Sequence, residues 1–424
     1  MLIETEKETE RVILCGVHTG RMNTLEDTTE ESMGELSELA RTAGAEVVGE
    51  IVQNKDHPEG ATYFGEGKLE ELRIAADDMG ATLLIFDDEL TGSQIRNIEN
   101  YTGVRTIDRS TLILDIFAQR ASSKEGKLQV ELAQLKYNLP RLSGMGAELS
   151  RLGGGIGTRG PGETKLESDR RHIYRRINAL EQELKEVQEH RSLLRARREK
   201  EKAVCAALVG YTNAGKSTVL NFFTDAGVFA ENMLFATLDP TVRKLELSDG
   251  RNAVITDTVG FIRKLPHHLV EAFKSTLDEA VTADVLVHVI DSSNPQMREQ
   301  MKVVEKLIDE LGCHAQRIIA VFNKCDVAPV LSPRPEGKYT DFVCVSAKTG
   351  EGMQELLALL EDALPGKKRE VELLIPYSES KLAANLHEGE VILSEEYAPE
   401  GIKIKMLVDS RLYAKVERYI KENG

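Results

Sequence analysis

Residues 210–217 read Gly-Tyr-Thr-Asn-Ala-Gly-Lys-Ser and follow the strand-like run 203–209. This is the spacing GxxxxGK[ST] in the context it needs, and each position has a task. Gly210 and Gly215 let the loop residues Tyr211, Thr212, Asn213 and Ala214 turn their amides toward an anion at the start of a helix. Lys216 neutralises the β- and γ-phosphates, the Ser217 hydroxyl ligates a magnesium ion (Mg2+), and Thr218 stands next in the helix's first turn. Alone, the loop specifies only a nucleoside triphosphate.

Three further strings, each behind a strand-like run, narrow the base and the chemistry. Asp257-Thr258-Val259-Gly260 is a DxxG, whose carboxylate reaches the metal through water and whose Gly260 amide senses the γ-phosphate. Asn323-Lys324-Cys325-Asp326 is an NKxD. The Asp326 carboxylate matches the N1 and N2 donors of guanine, and adenine would leave that charge unmatched. Ser346-Ala347-Lys348 offers backbone amides to the guanine O6. A switch-I segment is expected in Phe235-Ala236-Thr237-Leu238-Asp239-Pro240-Thr241, with Thr237 as the metal-ligating hydroxyl and Thr241 as second choice. Four motifs in this order, at strand ends where an open α/β sheet holds its ligands, specify GTP binding and hydrolysis. The catalytic set is then Lys216, Thr237 and Gly260.

Phe261 follows the DxxG where small signalling GTPases place a water-orienting glutamine, and a phenyl ring cannot do that task. Hydrolysis by the isolated chain is therefore expected to be slow, with the water positioned by a switch residue, a partner or a monovalent cation. Asn213 bears on the last, because potassium-activated GTPases have Asn at that position, so K+ is a candidate second cofactor. His267 and His268 fall where switch II should run and read as exposed helix-start residues.

Elements that could position these residues are visible in the apolar pattern. Strand-like runs 12–17, 45–52 and 81–86 alternate with helical spacing over 30–43 and 68–79, which predicts a small α/β unit around a mostly parallel sheet. Leu128, Leu132, Leu135, Leu139 and Leu142 then form a heptad seam, and Ile173, Ile177, Leu180, Leu184, Val187 and Leu194 form a second. Two such seams make an antiparallel helical hairpin, with Pro140 kinking or ending its first helix. Between them lie eight glycines within residues 144–162, a costly loop to order and so a functional or disordered one. Residues 370–420 read strand, helix, strand, strand, helix. The expected architecture is α/β: an N-terminal α/β domain over 1–115, a hairpin with a Gly-rich tip over 116–202, a P-loop GTPase domain over 203–366 and a small α+β domain over 367–424.

With 54 basic against 70 acidic residues the net charge is −16, which argues against wholesale polyanion binding and leaves room only for a local basic patch. Such a patch exists. The hairpin's second arm, residues 165–202, carries twelve basic and eight acidic residues. Arg151, Arg159 and Lys165 charge the loop, while Arg170, Arg171, Arg175, Arg176 and the run from Arg195 are candidates for phosphate contacts. The bland alternative is a solvated coiled-coil face. Five scattered cysteines without metal-ligand spacing read as buried thiols of a reducing cytosol. The polar, acidic start is unlike a secretory signal, and no apolar run approaches the ~20 residues of a membrane span, leaving only peripheral membrane contact open.

The four motifs behind a leucine-seamed hairpin, with a tip reading Gly153-Gly154-Gly155-Ile156-Gly157-Thr158-Arg159-Gly160-Pro161-Gly162-Glu163-Thr164, closely resemble the HflX GTPases, from about residue 10 to the C-terminus. The resemblance implies a cytoplasmic factor that binds the large ribosomal subunit, is stimulated there to hydrolyse GTP, and splits or rescues stalled or heat-stressed ribosomes. It further implies rRNA contact by the hairpin and its tip, with Arg151, Gly153, Gly154, Gly155, Arg159, Arg170, Arg171 and Arg175 as the candidates. Lys165 stands where many relatives have Gln. A monomer is expected. Competing readings are a GTPase acting on free RNA, through tRNA modification or RNA remodelling, and a GTP-gated protein-binding module.

Overall fold

The architecture was obtained as a computed structural model that describes residues 9–19, 29–142, 161–200, 203–224, 234–235, 237–265, 269, 274–313, 317–327, 335, 337–366, 369–379, 382–383, 386, 391–408, 412–413 and 416–420. The N-terminal unit is a four-stranded parallel sheet in the order β2-β1-β3-β4, with β1 Arg11–His18, β2 Glu46–Asn54, β3 Leu83–Phe86 and β4 Arg105–Asp108. Nearly every residue of β1 and β3 is buried, as expected of strands covered on both faces. Covering helices are α1 (Thr29–Thr42), α2 (Glu66–Met79), α3 (Gly92–Thr102) and α4 (Arg109–Arg120). The ends of the last two are set locally. Thr91 and Gln94 form a reciprocal capping box at α3, and the Asp108 side chain accepts from the Thr111 amide at α4.

Helix α4 continues past residues 115 and 116 and turns through 121–123 into α5 (Lys124–Leu142), the first arm of the hairpin. The second arm is α6 (Pro161–Lys200). Leu128, Leu132, Ile177, Leu180 and Leu184 are buried between the arms, with Leu135, Leu139 and Ile173 packed at the edge. Val187 is half-buried, and the side chains of Leu142 and Leu194 lie outside the described set. Pro140 sits inside α5, whose described residues run to Leu142. At that end Arg141 donates to the Leu90 carbonyl (2.8 Å) and the buried Asp108 carboxylate (2.6 Å), so α5 is fastened to the N-terminal sheet.

The third unit is a six-stranded sheet in the order β10-β9-β8-β5-β7-β6, parallel except for β6. Its strands are β5 Val204–Gly210, β6 Thr241–Glu246, β7 Asn252–Asp257, β8 Val285–Asp291, β9 Arg317–Asn323 and β10 Asp341–Cys344. Its helices are α7 (Lys216–Thr224), α8 (Lys274–Val281), α9 (Met297–Glu310) and α10 (Met353–Ala363). A three-stranded antiparallel sheet, β11 (Arg369–Ile375), β13 (Gly401–Val408) and β12 (Val391–Ala398) in that order, closes the chain. Among the described residues no helix is long and apolar enough to cross a membrane.

Candidate functional site

The C-terminal ends of β5, β7, β8, β9 and β10 converge, as the open-sheet rule requires, on a cavity of about 420 Å³. Thr212, Asn213, Gly215, Lys216, Ser217, Thr218, Phe235, Thr237, Thr258, Gly260, Asn323, Lys324, Asp326, Ser346, Ala347 and Lys348 all line it. Four strings spread over some 140 residues of sequence thus meet around one space.

The loop after β5 has no room for side chains where it has glycine. A Cβ on Gly210 would lie 2.3 Å from the Val289 carbonyl, and one on Gly215 would lie 2.2 Å from Asn323 Nδ2. Asn323 donates to the Ala214 carbonyl (2.9 Å) and accepts from the Ala347 amide (3.0 Å), so one side chain ties the phosphate loop to the base-recognition strands. Lys216 Nζ donates to the Gly210 and Tyr211 carbonyls at 3.2 and 3.0 Å. Burial lowers its pKa to about 8, with Asp257 opposing.

Ser217, Thr237 and Asp257 meet at the loop's edge. Ser217 Oγ donates to Asp257 Oδ2 (2.6 Å) and lies 2.8 Å from Thr237 Oγ1, while Asp257 Oδ1 is buried with no hydrogen-bond partner among the described residues. An orphaned carboxylate oxygen beside two hydroxyls fits a hard divalent cation such as Mg2+: Ser217 and Thr237 would hold it, and it would supply neutralisation of phosphate charge. Burial raises the Asp257 carboxyl, with Lys216 and Ser217 opposing. Thr237 is accordingly the threonine that reaches this corner; Thr241 opens β6 instead. At the far end the Asp326 carboxylate is exposed at the cavity rim, and Lys324 pairs with Asp291 at 2.6 Å.

Other expected residues take different places. Leu238 and Val259 are core residues, and Ala236 lies outside the described residues. Tyr211 contributes its carbonyl to Lys216, but its side chain leaves the cavity and donates to Glu35 on α1. Asp239 is turned to residues 122 and 123. Phe261 is buried, its backbone exchanging hydrogen bonds with Gly210 and Thr212, so its ring does not face the phosphate end. Ser293 and Val327 line the cavity without having been anticipated. Ser293 lies two residues beyond the end of β8, and its position behind a parallel strand was the available signal.

Arg170, Arg171 and Arg175 are exposed on α6. Arg176 is committed within the hairpin, where it makes a two-pronged pair with Glu131 (2.6 and 2.7 Å). Arg151, Gly153, Gly154, Gly155, Arg159, His267 and His268 lie outside the described residues, as do the side chains of 165 and 195–200.

Fold and cavity together define a P-loop GTPase set within a longer chain. Residues 205–324 match a family described as 50S ribosome-binding GTPase, residues 30–118 one described as GTP-binding GTPase N-terminal, and residues 120–198 one described as GTP-binding GTPase middle region. GTPase HflX of Caldanaerobacter subterraneus subsp. tengcongensis is 51% identical, covering 98% of this chain and 95% of that protein. GTPase HflX of Escherichia coli (strain K12) is 40% identical over 92% and 94%. A solved GTP-binding protein of Sulfolobus solfataricus in complex with GDP is 25% identical, with a TM-score of 0.44, covering 84% of this chain and 98% of that one. The chain belongs to the HflX family of GTPases, and it binds and hydrolyses GTP.

Proposed function

We propose that this GTPase is a cytoplasmic, monomeric ribosome factor. It binds the large subunit through rRNA in its GTP form, and it splits or rescues stalled or heat-stressed ribosomes. The observation that carries this reading is the exposure of Arg170, Arg171 and Arg175 on a 40-residue helix that follows a glycine- and arginine-bearing segment in sequence, in a chain of net charge −16. A local cationic arm on an acidic body suits irregular RNA and not polyanions at large. The matched family's description, 50S ribosome-binding GTPase, points to the same partner.

In this reading GTP and Mg2+ hold the switches in the binding form, and hydrolysis lets the protein leave. Slow intrinsic turnover follows from the Phe261 ring being packed in the core, which leaves the water to be positioned by the ribosome or by K+ beside Asn213. Sedimentation through a sucrose gradient with a non-hydrolysable GTP analogue tests the partner: co-migration with large subunits is expected, and its absence at moderate salt sinks the reading. GTPase rates with large subunits and with free RNA, each in potassium and in sodium, complete the test. Greater stimulation by free RNA would favour an RNA-remodelling role, and equal rates in both salts would remove the cation.

A further inference from the structure

Thr237, whose hydroxyl meets Ser217, is flanked by two residues that are held by α4 and by the start of α5. Two positions before it, the Phe235 ring meets Phe117 of α4 edge-on, with centroids 4.7 Å apart and planes at 88°. Two positions after it, Asp239 is seated on the start of α5. Its Oδ2 accepts from the Ser122 amide (3.0 Å), the Ser122 hydroxyl (2.7 Å) and the Ser123 amide (2.8 Å), and its Oδ1 accepts from the Ser123 hydroxyl (2.5 Å). That last hydroxyl accepts in turn from the Gly126 amide at 2.9 Å, so it caps the helix and passes the carboxylate's hold into the first turn.

The fit leaves no slack. A Cβ on Gly126 would stand 2.4 Å from Asp239 Oδ1. The negative charge lies where the amide-rich end of α5 favours it. Burial disfavours the ionised carboxylate, but the Ser123 and Ser122 donors outweigh it and its pKa falls below the ordinary value. Asp239 does not line the nucleotide cavity, so any effect it has on the reaction must pass through Thr237.

We propose that Asp239 is a positioning residue for GTP hydrolysis: seated on the turn between α4 and α5, it holds the switch-I segment so that Thr237 reaches the Ser217–Asp257 corner. The first arm of the hairpin and the nucleotide cavity then share one equilibrium. Whatever shifts α5 displaces Thr237, and a γ-phosphate that fixes Thr237 tightens the seat of α5 by the same factor. The inference rests on the GTPase activity and is independent of the ribosomal proposal.

The test uses the full-length protein as wild type, Asp239→Ala, Asp239→Asn, Ser122→Ala/Ser123→Ala, and the combined Ala variant. Readouts are single-turnover GTP hydrolysis, GDP affinity and thermal melting. Asp239→Ala and the serine pair should each slow hydrolysis by about tenfold or more with GDP affinity nearly unchanged, while melting falls only by the modest amount that losing the α5 cap costs. Asp239→Asn, which keeps the shape and one good acceptor, should fall between. The combined variant should be within about twofold of Asp239→Ala alone, because both changes remove the same contact. An unchanged rate, additive losses, or an equal loss of GDP affinity would overturn the assignment. Wild type failing to hydrolyse GTP would instead strike the activity itself. In that case hydrogen exchange over 237–241 with a non-hydrolysable analogue still decides: protection is expected in wild type and not in Asp239→Ala, and equal protection in both overturns the proposal.

Discussion

Lys216 is buried beside Asp257 with two backbone carbonyls as its acceptors, and burial brings its ammonium down to about 8. A triphosphate stabilises the charged form, so the pKa in the complex lies above that in the free protein. Below pH 8 the group is already protonated and GTP affinity is flat. Above it binding must take up a proton, and affinity falls by up to about tenfold per pH unit. Titration calorimetry in buffers of different ionisation heat should find proton uptake near zero at pH 7 and approaching one at pH 9; no uptake at either pH would contradict the buried-lysine account. At this scale the sequence was most informative, because Gly210, Lys216, Asp257 and Asn323 each act within a strand-loop unit whose spacing is fixed by local backbone geometry. It placed Tyr211 and Asp239 at the nucleotide but did not show that their side chains turn away from it. Their partners lie 176 and 117 residues away, and no local pattern encodes a contact of that range.

The hairpin shows what periodicity can and cannot specify. Leu180 is fully buried against the Leu128–Leu132 face, and the heptad spacing pointed to it directly. Leu180→Ala should cost about 2–5 kcal/mol of hairpin stability, seen as a lower denaturant midpoint for the helical signal, with nucleotide affinity unchanged; a cost under about 1 kcal/mol would mean the seam is not the core of this unit. The middle of the N-terminal domain was harder to read. Helix α3 buries only Ile98 among its large apolar residues, β4 is four residues long, and the Leu-Ile-Leu-Asp-Ile-Phe run of α4 suits a strand or a buried helix equally. Short or fully apolar elements carry no period from which to choose between the two.

Across the whole molecule the N-terminal unit is joined to the nucleotide domain by buried charge. Arg109, 2% exposed, pairs with Asp87 (2.8 Å) and Glu35 and also donates to the Arg263 carbonyl, while Lys264 pairs with Asp88 (2.8 Å) and Asp87. Burial raises the Glu35 carboxyl, with Arg109 opposing, whereas Arg109 and Lys264 overcome burial at Asp87 and hold it low. Arg263 and Lys264 follow the DxxG by only a few residues, so this buried ionic seam meets the chain next to the γ-phosphate sensor, as Asp239 meets α5 on the other side. A buried ionic cluster of this kind is weak evidence for stability, because desolvation offsets its Coulombic gain. All of it presumes that the cavity reads guanine. Competition titration of GTP, ATP and XTP against wild type and Asp326→Asn tests that most directly. Wild type should prefer GTP over ATP by about a hundredfold or more, and Asp326→Asn should lose GTP and turn toward XTP. Equal affinity for GTP and ATP, or a variant with unchanged base preference, would contradict the assignment of this pocket.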